Sequence, residues 1–322
     1  MKKPLSCLIL ALFSFSAVAL SLKDFSLSVE PLFGMRWGQI DEYVYQKDSG
    51  GDYKKLSELN WQIKNMFEVG GNIEGGFRKI KGKIHFSALI PGDSGVMEDS
   101  DWVDLNSVKT TFSKSENSLV RAYDFSVLLK YEFQPVEFIK IAPLFEFEYK
   151  LISFEARNGY GWYGNEVTPH VSWDDDKAVY YKSGKLCGID YRREIKQFFI
   201  GYYFEYRPIK RLKLFDSFAI APYAYTVSYD THYSDRESTR GTDYADEVAF
   251  FFTRLKYTTG CYYAFTERLE LGLQVSFFYA FQILGTTYKK SHSSSTYSKM
   301  TDKGGAGAWD FAAAITCRFN IF

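Results

Sequence analysis

Two short polar segments carry the residue types best suited to chemistry: Asp99-Ser100-Asp101 followed by Trp102, and Asp230-Thr231-His232 followed by Tyr233. In each, the titratable pair is spaced i, i+2, which in extended backbone sends both side chains to one face. Two strand ends could therefore present three carboxylates and one imidazole to a single cleft. Such a set can activate water. An imidazole titrates near about pH 6.5, so an adjacent carboxylate can tune it as a general base at neutral pH. Two neighbouring carboxylates raise the proton affinity of at least one of them. Taken singly, each pair is weak, because Asp-x-Asp is most often a solvated acidic loop; the elements that hold the pairs decide between the readings.

The chain begins Met1-Lys2-Lys3, followed by an apolar run from Leu8 to Ala19 that is broken only by serines and ends Ala17-Val18-Ala19. A basic start, a short apolar core and a small-x-small end read as a secretory signal over residues 1–19, leaving 20–322 as the exported domain. The run is shorter than the roughly 20 residues of a spanning helix. Cys7 lies inside this signal, and no cysteine follows its small residues to take a lipid.

Beyond the signal, no uncharged apolar stretch is long enough to cross a bilayer as a helix, yet aromatic residues make up 19% of the chain, with 25 Tyr and 29 Phe. Outer-membrane barrels use rings in such numbers to face lipid and to form girdles at both interfaces. Without Lys2 and Lys3 the balance is 37 basic to 39 acidic residues. That near-neutrality points to no nucleic-acid partner. Cys187, Cys261 and Cys317 are odd in number and lack pair or metal spacing, so no disulfide framework is expected.

Period-two patterning sets the class. From Ala122 to Phe133, one parity reads Tyr123, Phe125, Val127, Leu129, Tyr131 and Phe133, while the other carries Asp124, Ser126, Lys130 and Glu132. Leu269, Leu271, Leu273, Val275, Phe277 and Tyr279 repeat the pattern, as do Leu255, Tyr257, Cys261, Tyr263 and Phe265. So many rings would overfill a small water-soluble barrel. The arrangement that fits is inverted, with rings toward lipid and charges toward the lumen.

Such runs predict an all-β, ten-stranded antiparallel transmembrane β-barrel, with strands near 24–46, 57–77, 82–92, 118–134, 137–162, 185–207, 212–234, 247–265, 268–290 and 305–322. Tight connections at 78–81, 134–136, 208–210 and 266–267 are expected at the periplasmic end, and long ones at 47–56, 93–117, 163–184, 235–246 and 291–304 outside. Several strands exceed the roughly 9–11 residues needed to cross, so the barrel should extend beyond the outer membrane. Asp99, Asp101, Asp230 and His232 then meet at its outer rim.

Within this frame the chain resembles the omptin family, ten-stranded outer-membrane endopeptidases of Gram-negative bacteria. The resemblance runs from about Gly34 to Phe322. It is carried by Gly38-x-x-x-Glu42-x-Val44-Tyr45, Leu59-Asn60-Trp61, Met97-x-Asp99-x-Asp101-Trp102-x-Asp104, Ser153-Phe154-x-Ala156-Arg157, Ile200-Gly201, Asp230-x-His232-Tyr233 and Gly305-x-Gly307. It implies a monomeric aspartic-type endopeptidase that acts on peptides or proteins with no cofactor for the chemistry, its active site extracellular. His232 would take a proton from water, Asp230 would hold the imidazole, Asp99 would share the water, and Asp101 would assist at the tetrahedral centre.

The resemblance also implies basic residues at the cleaved bond, hence cationic substrates, with Glu42 in an acidic pocket and Met97 and Ile189 on its apolar walls. The second acid of that pocket is replaced by Ser228, which should weaken selection of Arg or Lys. Outer-wall positions where the family uses basic residues to hold lipopolysaccharide align with Leu151 and Glu194 and, more loosely, Asp246, so dependence on that lipid is expected to be altered or lost. Arg192, Arg193 and Lys150 read as lumenal or rim residues.

His85, His170 and His292 show no metal-ligand spacing, and Asp174-Asp175-Asp176 lacks the spaced ligands of a calcium loop; it reads as a solvated tip that attracts cations. Two other classes fit the same frame. One is an adhesin or host-protein-binding barrel whose loops carry the affinity. The other is a passive pore, which a narrow, side-chain-filled ten-stranded lumen disfavours.

Overall fold

The computed structural model describes residues 24–235 and 237–322. The signal over residues 1–19, with Cys7, lies outside the described residues. One antiparallel sheet contains β1 (Phe25–Lys47), β2 (Tyr53–Phe77), β3 (Ile80–Leu89), β4 (Gly92–Asp101), β5 (Thr111–Tyr131), β6 (Phe133–Val136), β7 (Ile139–Tyr163) and β8 (Val179–Tyr181). It continues through β9 (Ile189–Ile209), β10 (Leu212–Tyr233), β11 (Gly241–Phe250), β12 (Arg254–Ala264), β13 (Leu269–Leu284), β14 (Thr286–Ser291), β15 (Ser298–Lys299) and β16 (Lys303–Asn320).

The ladder runs β12-β13-β16-β1-β2-β3-β5-β7-β9-β10, and β10 pairs back to β12, so ten staves close into a barrel. Closure leaves no open edge along the ring. The other segments mostly lengthen staves: β4 continues β3 between β2 and β5, and β11 continues β12 alongside β10. The interruptions have local causes. Pro91, which has no N–H to donate, separates β3 from β4. Phe252 takes a φ of 53° between β11 and β12, a left-handed backbone uncommon for a bulky residue.

These extensions correct the expected loops. Residues 92–101, 111–117 and 241–246 are strand, so Asp99 and Asp101 stand on β4 and not in a connection. Short turns fall near 78–79, 210–211 and 265–268, overlapping those expected, at the end of the barrel where the described chain begins and ends; the turn expected at 134–136 is instead strand β6, and the chain reverses at 137–138.

Outside that end, period two places large apolar side chains in the open: Phe33 is 53% exposed, Leu129 52%, Leu273 57% and Ile315 52%. A continuous belt of this size is a surface for an apolar solvent. Farther along, the outside turns polar. On β5 the outward residues are Lys114, Glu116 and Ser118, then Tyr123, Phe125 and Val127 after a bulge between Leu119 and Arg121. The bulge shifts the parity at the edge of the belt.

The interior differs between the two ends as well. Level with the belt it is charged, as the patterning suggests, and the charges are paired: Arg36 with Glu68 (2.6 Å) and Asp124 (2.8 Å), Arg318 with Glu30 (2.6 Å), and Lys256 with Glu148 (2.7 Å). Buried charges require such partners. Beyond the belt the expected charged lumen gives way to an apolar plug. Trp61 stacks against both Phe154 (5.8 Å) and Tyr191 (5.0 Å), which are register partners on β7 and β9, and Leu59, Met97 and Leu119 are buried in the same cluster. The cleft has this plug as its floor.

Candidate active site

Asp99 and Asp101 project from β4, where they pair in register with Leu59 and Ser57 of β2 and with Ser113 and Thr111 of β5. Asp230 and His232 project from β10, opposite Tyr191 and Ile189 of β9 and Tyr244 and Thr242 of β11. Around the ring, the β4 stave and β10 are four steps apart one way and six the other. The i, i+2 pairs thus face each other across the mouth. Barrel closure performs the convergence that spacing alone cannot.

His232 Nε2 lies 2.6 Å from Asp230 Oδ2; the imidazole is open to the cleft while the carboxylate is buried beneath it. The Tyr244 ring meets the imidazole edge-on at 5.5 Å. With Nε2 engaged, Nδ1 is the nitrogen left to accept a proton. Among the described residues, Asp230 is the one carboxylate with an oxygen within 4.0 Å of a His232 ring nitrogen. Asp99 and Asp101 act on the ring from farther away.

Electrostatics ties the four groups together. Burial pushes the Asp99 carboxyl up to about 8; Asp101 adds to the rise, and His232 opposes it, as does the hydrogen bond donated by Ser57 Oγ (3.4 Å). Asp101 is also raised by burial, against Ser57 and His232. For His232, burial pulls downward, but Asp230, its hydrogen bond, and then Asp99 and Asp101 outweigh it, so the imidazole titrates above its ordinary value. Asp99, Asp101 and His232 thus each hold a proton more tightly than they would in water, and each acts on another of the three. Such a cluster suits transfer to and from a water held among them.

Glu42, Met97, Ile189 and Ser228, expected to line a substrate pocket, are all buried: Met97 is 1% exposed and Ser228 3%, with Ser228 one inward position below Asp230 on β10 and Ile189 level with His232. Met97 and Ile189 belong to the plug. Glu42 is raised well above the usual carboxylate range, first by burial and then by Asp230 and Asp246, with Arg193 opposing.

Two residues that sequence reasoning did not place here complete this layer. Asp246, loosely aligned with the outer wall, faces inward and pairs in register with Ser228. Its clue was the parity it shares with Val248 and Phe250, which the expected loop at 235–246 concealed. A side chain at Gly304 would have its Cβ 2.1 Å from the Asp246 carboxyl, so only glycine leaves that group its space. Arg193 is the other. Nearly inaccessible, it donates from Nε to Ser228 Oγ (3.1 Å), from Nη1 to Gly307 O (2.8 Å) and from Nη2 to Asp41 O (2.7 Å).

The remaining histidines have polar neighbours that spacing did not reveal. His170 meets Asp104 (2.8 Å), His292 meets Asp243 (2.7 Å), and His85 sits between Asn72 (2.9 Å) and Ser87 (3.2 Å). No group of three or more His, Cys, Asp or Glu arranged to hold a metal occurs among the described residues. Cys187, Cys261 and Cys317 are free thiols.

A sequence model of the Omptin family matches residues 23–321. Among solved structures, the chain is similar to the outer membrane protease OmpT from Escherichia coli, with a TM-score of 0.82 at 20% identity, covering 94% of this chain and 99% of that one. The translocator domain of the autotransporter NalP from Neisseria meningitidis also matches, with a TM-score of 0.39 at 8% identity over 98% of this chain and 95% of that one. No curated protein sequence matches.

Proposed function

The chain belongs to the omptin family of bacterial outer-membrane proteases, and from that membership we propose that it is an aspartic-type endopeptidase acting through a water held between His232 and Asp99. His232 Nδ1 takes the proton as the oxygen attacks the peptide carbonyl. Asp230, buried and hydrogen-bonded to the other ring nitrogen, orients the imidazole and stabilises its cationic form. Asp99 and Asp101 position the water and share protons with the developing tetrahedral centre. His232 then returns its proton to the leaving amine.

The observation that carries this reading is the 2.6 Å contact between His232 and Asp230, on a strand that faces the acid pair of β4 across the barrel mouth. The mouth opens at the polar end, away from the short turns, which is the extracellular end of an outer-membrane barrel. Residues 1–19 direct export, and residues 20–322 act as a monomer. The cleft carboxylates attract cationic polypeptides.

The test is cleavage of a peptide library by the refolded protein and by His232→Ala and Asp99→Ala. Both variants should retain the barrel and lose cleavage by about 1,000-fold or more. A folded variant with full activity would overturn the proposal and favour a binding barrel.

A further inference from the structure

Under the dyad, the position where a second acid was expected is Ser228, and a guanidinium already touches it. Arg193 reaches from β9 across the interior to the β1–β16 ladder, where Asp41 and Gly307 are register partners and both give it their carbonyl oxygens. It bonds Ser228 on the way. Glu42 and Asp246 flank it, and its charge holds both carboxyls lower than burial alone would leave them. Glu42 Oε2 and Asp246 Oδ1 have no hydrogen-bond partner, so Arg193 compensates them through space and not by direct pairing. Arg193, Glu42, Ser228 and Asp246 are each less than 5% exposed, which leaves no open slot for a second long cation.

We propose that Arg193 is a built-in occupant of the acidic specificity pocket, so that this protease accepts small uncharged residues before the cleaved bond and does not select Arg or Lys there. The inference rests on the proteolytic reading above and deepens it. An arginine brought by a substrate would have to displace three donated hydrogen bonds or stack a second positive charge on the first in a site remote from water. Arg193 also explains Ser228: a hydroxyl accepts from its Nε where another carboxylate would crowd a layer that already holds Glu42, Asp246 and Asp230. Cationic residues elsewhere in the substrate are still drawn to the rim. The restriction concerns one subsite.

The experiment compares two otherwise identical peptides, with Arg or Ala before the cleaved bond, and reads the ratio of their kcat/KM within each protein. The wild-type ratio should lie within about twofold of unity, and Arg193→Ser should raise it by about tenfold or more, because an emptied acidic pocket selects its cation. A role confined to bracing the barrel would lower both rates and leave the ratio alone. Glu42→Gln supplies the second measurement should Arg193→Ser not fold: with Arg193 as the occupant, the ratio should move by less than about twofold. A wild-type preference for Arg of about tenfold or more, abolished in Glu42→Gln, would overturn the assignment of Arg193 while leaving the protease intact. Failure to cleave either peptide, or any member of the library, would remove both.

Discussion

Asp246 on β11 stands register-opposite Ser228 on β10, and both side chains are buried under the dyad. Opposed residues in an antiparallel pair have Cβ atoms roughly 5 Å apart on one face, so the carboxyl missing from one strand is present on its neighbour. Burial, with Asp230 adding to it, pushes the Asp246 carboxyl up to about 7, and Thr287 and Arg193 only partly oppose the rise. Between about pH 4 and about 7, the folded chain therefore holds a proton that the unfolded chain has released. The stability linked to that proton is lost as pH rises through 7. Asp246→Asn should accordingly raise the unfolding free energy relative to wild type more at pH 8 than at pH 5, by an amount on the order of 1–3 kcal/mol, as read from thermal or denaturant unfolding at the two pH values. An equal difference at the two pH values would show that the Asp246 carboxyl is already ionised in the folded protein at pH 5.

The Asp230 carboxylate has a role separable from that of His232. Replacing it by Asn preserves size and a hydrogen bond but removes the charge that favours the imidazolium, and in other hydrolases that change lowers kcat by about 10,000-fold. Asp230→Asn is expected to lose about 1,000-fold or more in kcat while KM stays within about threefold. A large change confined to KM would mean that Asp230 contacts substrate and does not orient the base.

Lipopolysaccharide dependence can be read from the outer wall. Phosphate groups of that lipid are held by exposed cations, yet Leu151 is buried, Asp246 faces the interior, and the cation beside Glu194 is Arg192, which Glu194 itself engages at 2.8 Å. Lys150 is inside, within reach of Asp124, Glu148 and Asp310. Refolded protein should cleave peptides without added lipopolysaccharide, and adding it should change kcat/KM by less than about threefold. Strict dependence would place the lipid at wall residues other than these.

The pairs Asp99/Asp101 and Asp230/His232 were legible because i, i+2 spacing keeps its meaning wherever the backbone is extended. Their setting was harder to read. Gly92-Asp93-Ser94-Gly95 looks like a loop, and only the ladders with β2 and β5 make 92–101 a strand. Period two also says nothing about which face is inside, so the outward rings of the belt and the inward Trp61, Phe154 and Tyr191 of the plug share one signal. Arg193 was invisible as a pocket residue for a related reason. It sits in Tyr191-Arg192-Arg193-Glu194, where adjacent arginines point to opposite faces, and its partners at Asp41, Ser228 and Gly307 are fixed by closure of the barrel, not by local sequence.

The plug should set stability for the whole upper barrel. Trp61 is completely buried against Phe154 and Tyr191 and also lies opposite Met97 in the β2–β4 ladder. Trp61→Ala removes a large side chain from a site whose neighbours are pinned in strands and can close in only partly; the expected loss is about 3–5 kcal/mol. Heat or denaturant should then open the upper barrel before the apolar belt, and cleavage should be lost at the same midpoint as near-ultraviolet circular dichroism. Retention of the wild-type midpoint would mean that the ladder alone supports the cleft.

Asp101 offers the clearest pH signature of the four. Its charge raises the pKa of His232 and, after burial, is the main influence raising that of Asp99. His232 must be neutral to act as the base, so the acid limb of kcat/KM follows its folded-state pKa, which is displaced upward from the ordinary value. Asp101→Asn removes one of the charges holding that pKa up. The acid limb should therefore move to lower pH, by up to about one unit, even as the rate at the optimum falls by about tenfold or more. Asp99→Asn should move the limb the same way, because it also removes negative charge acting on His232. A limb that stays in place in both variants would show that the β4 acids do not act on His232 across the mouth, and the shared-water mechanism would lose its second half.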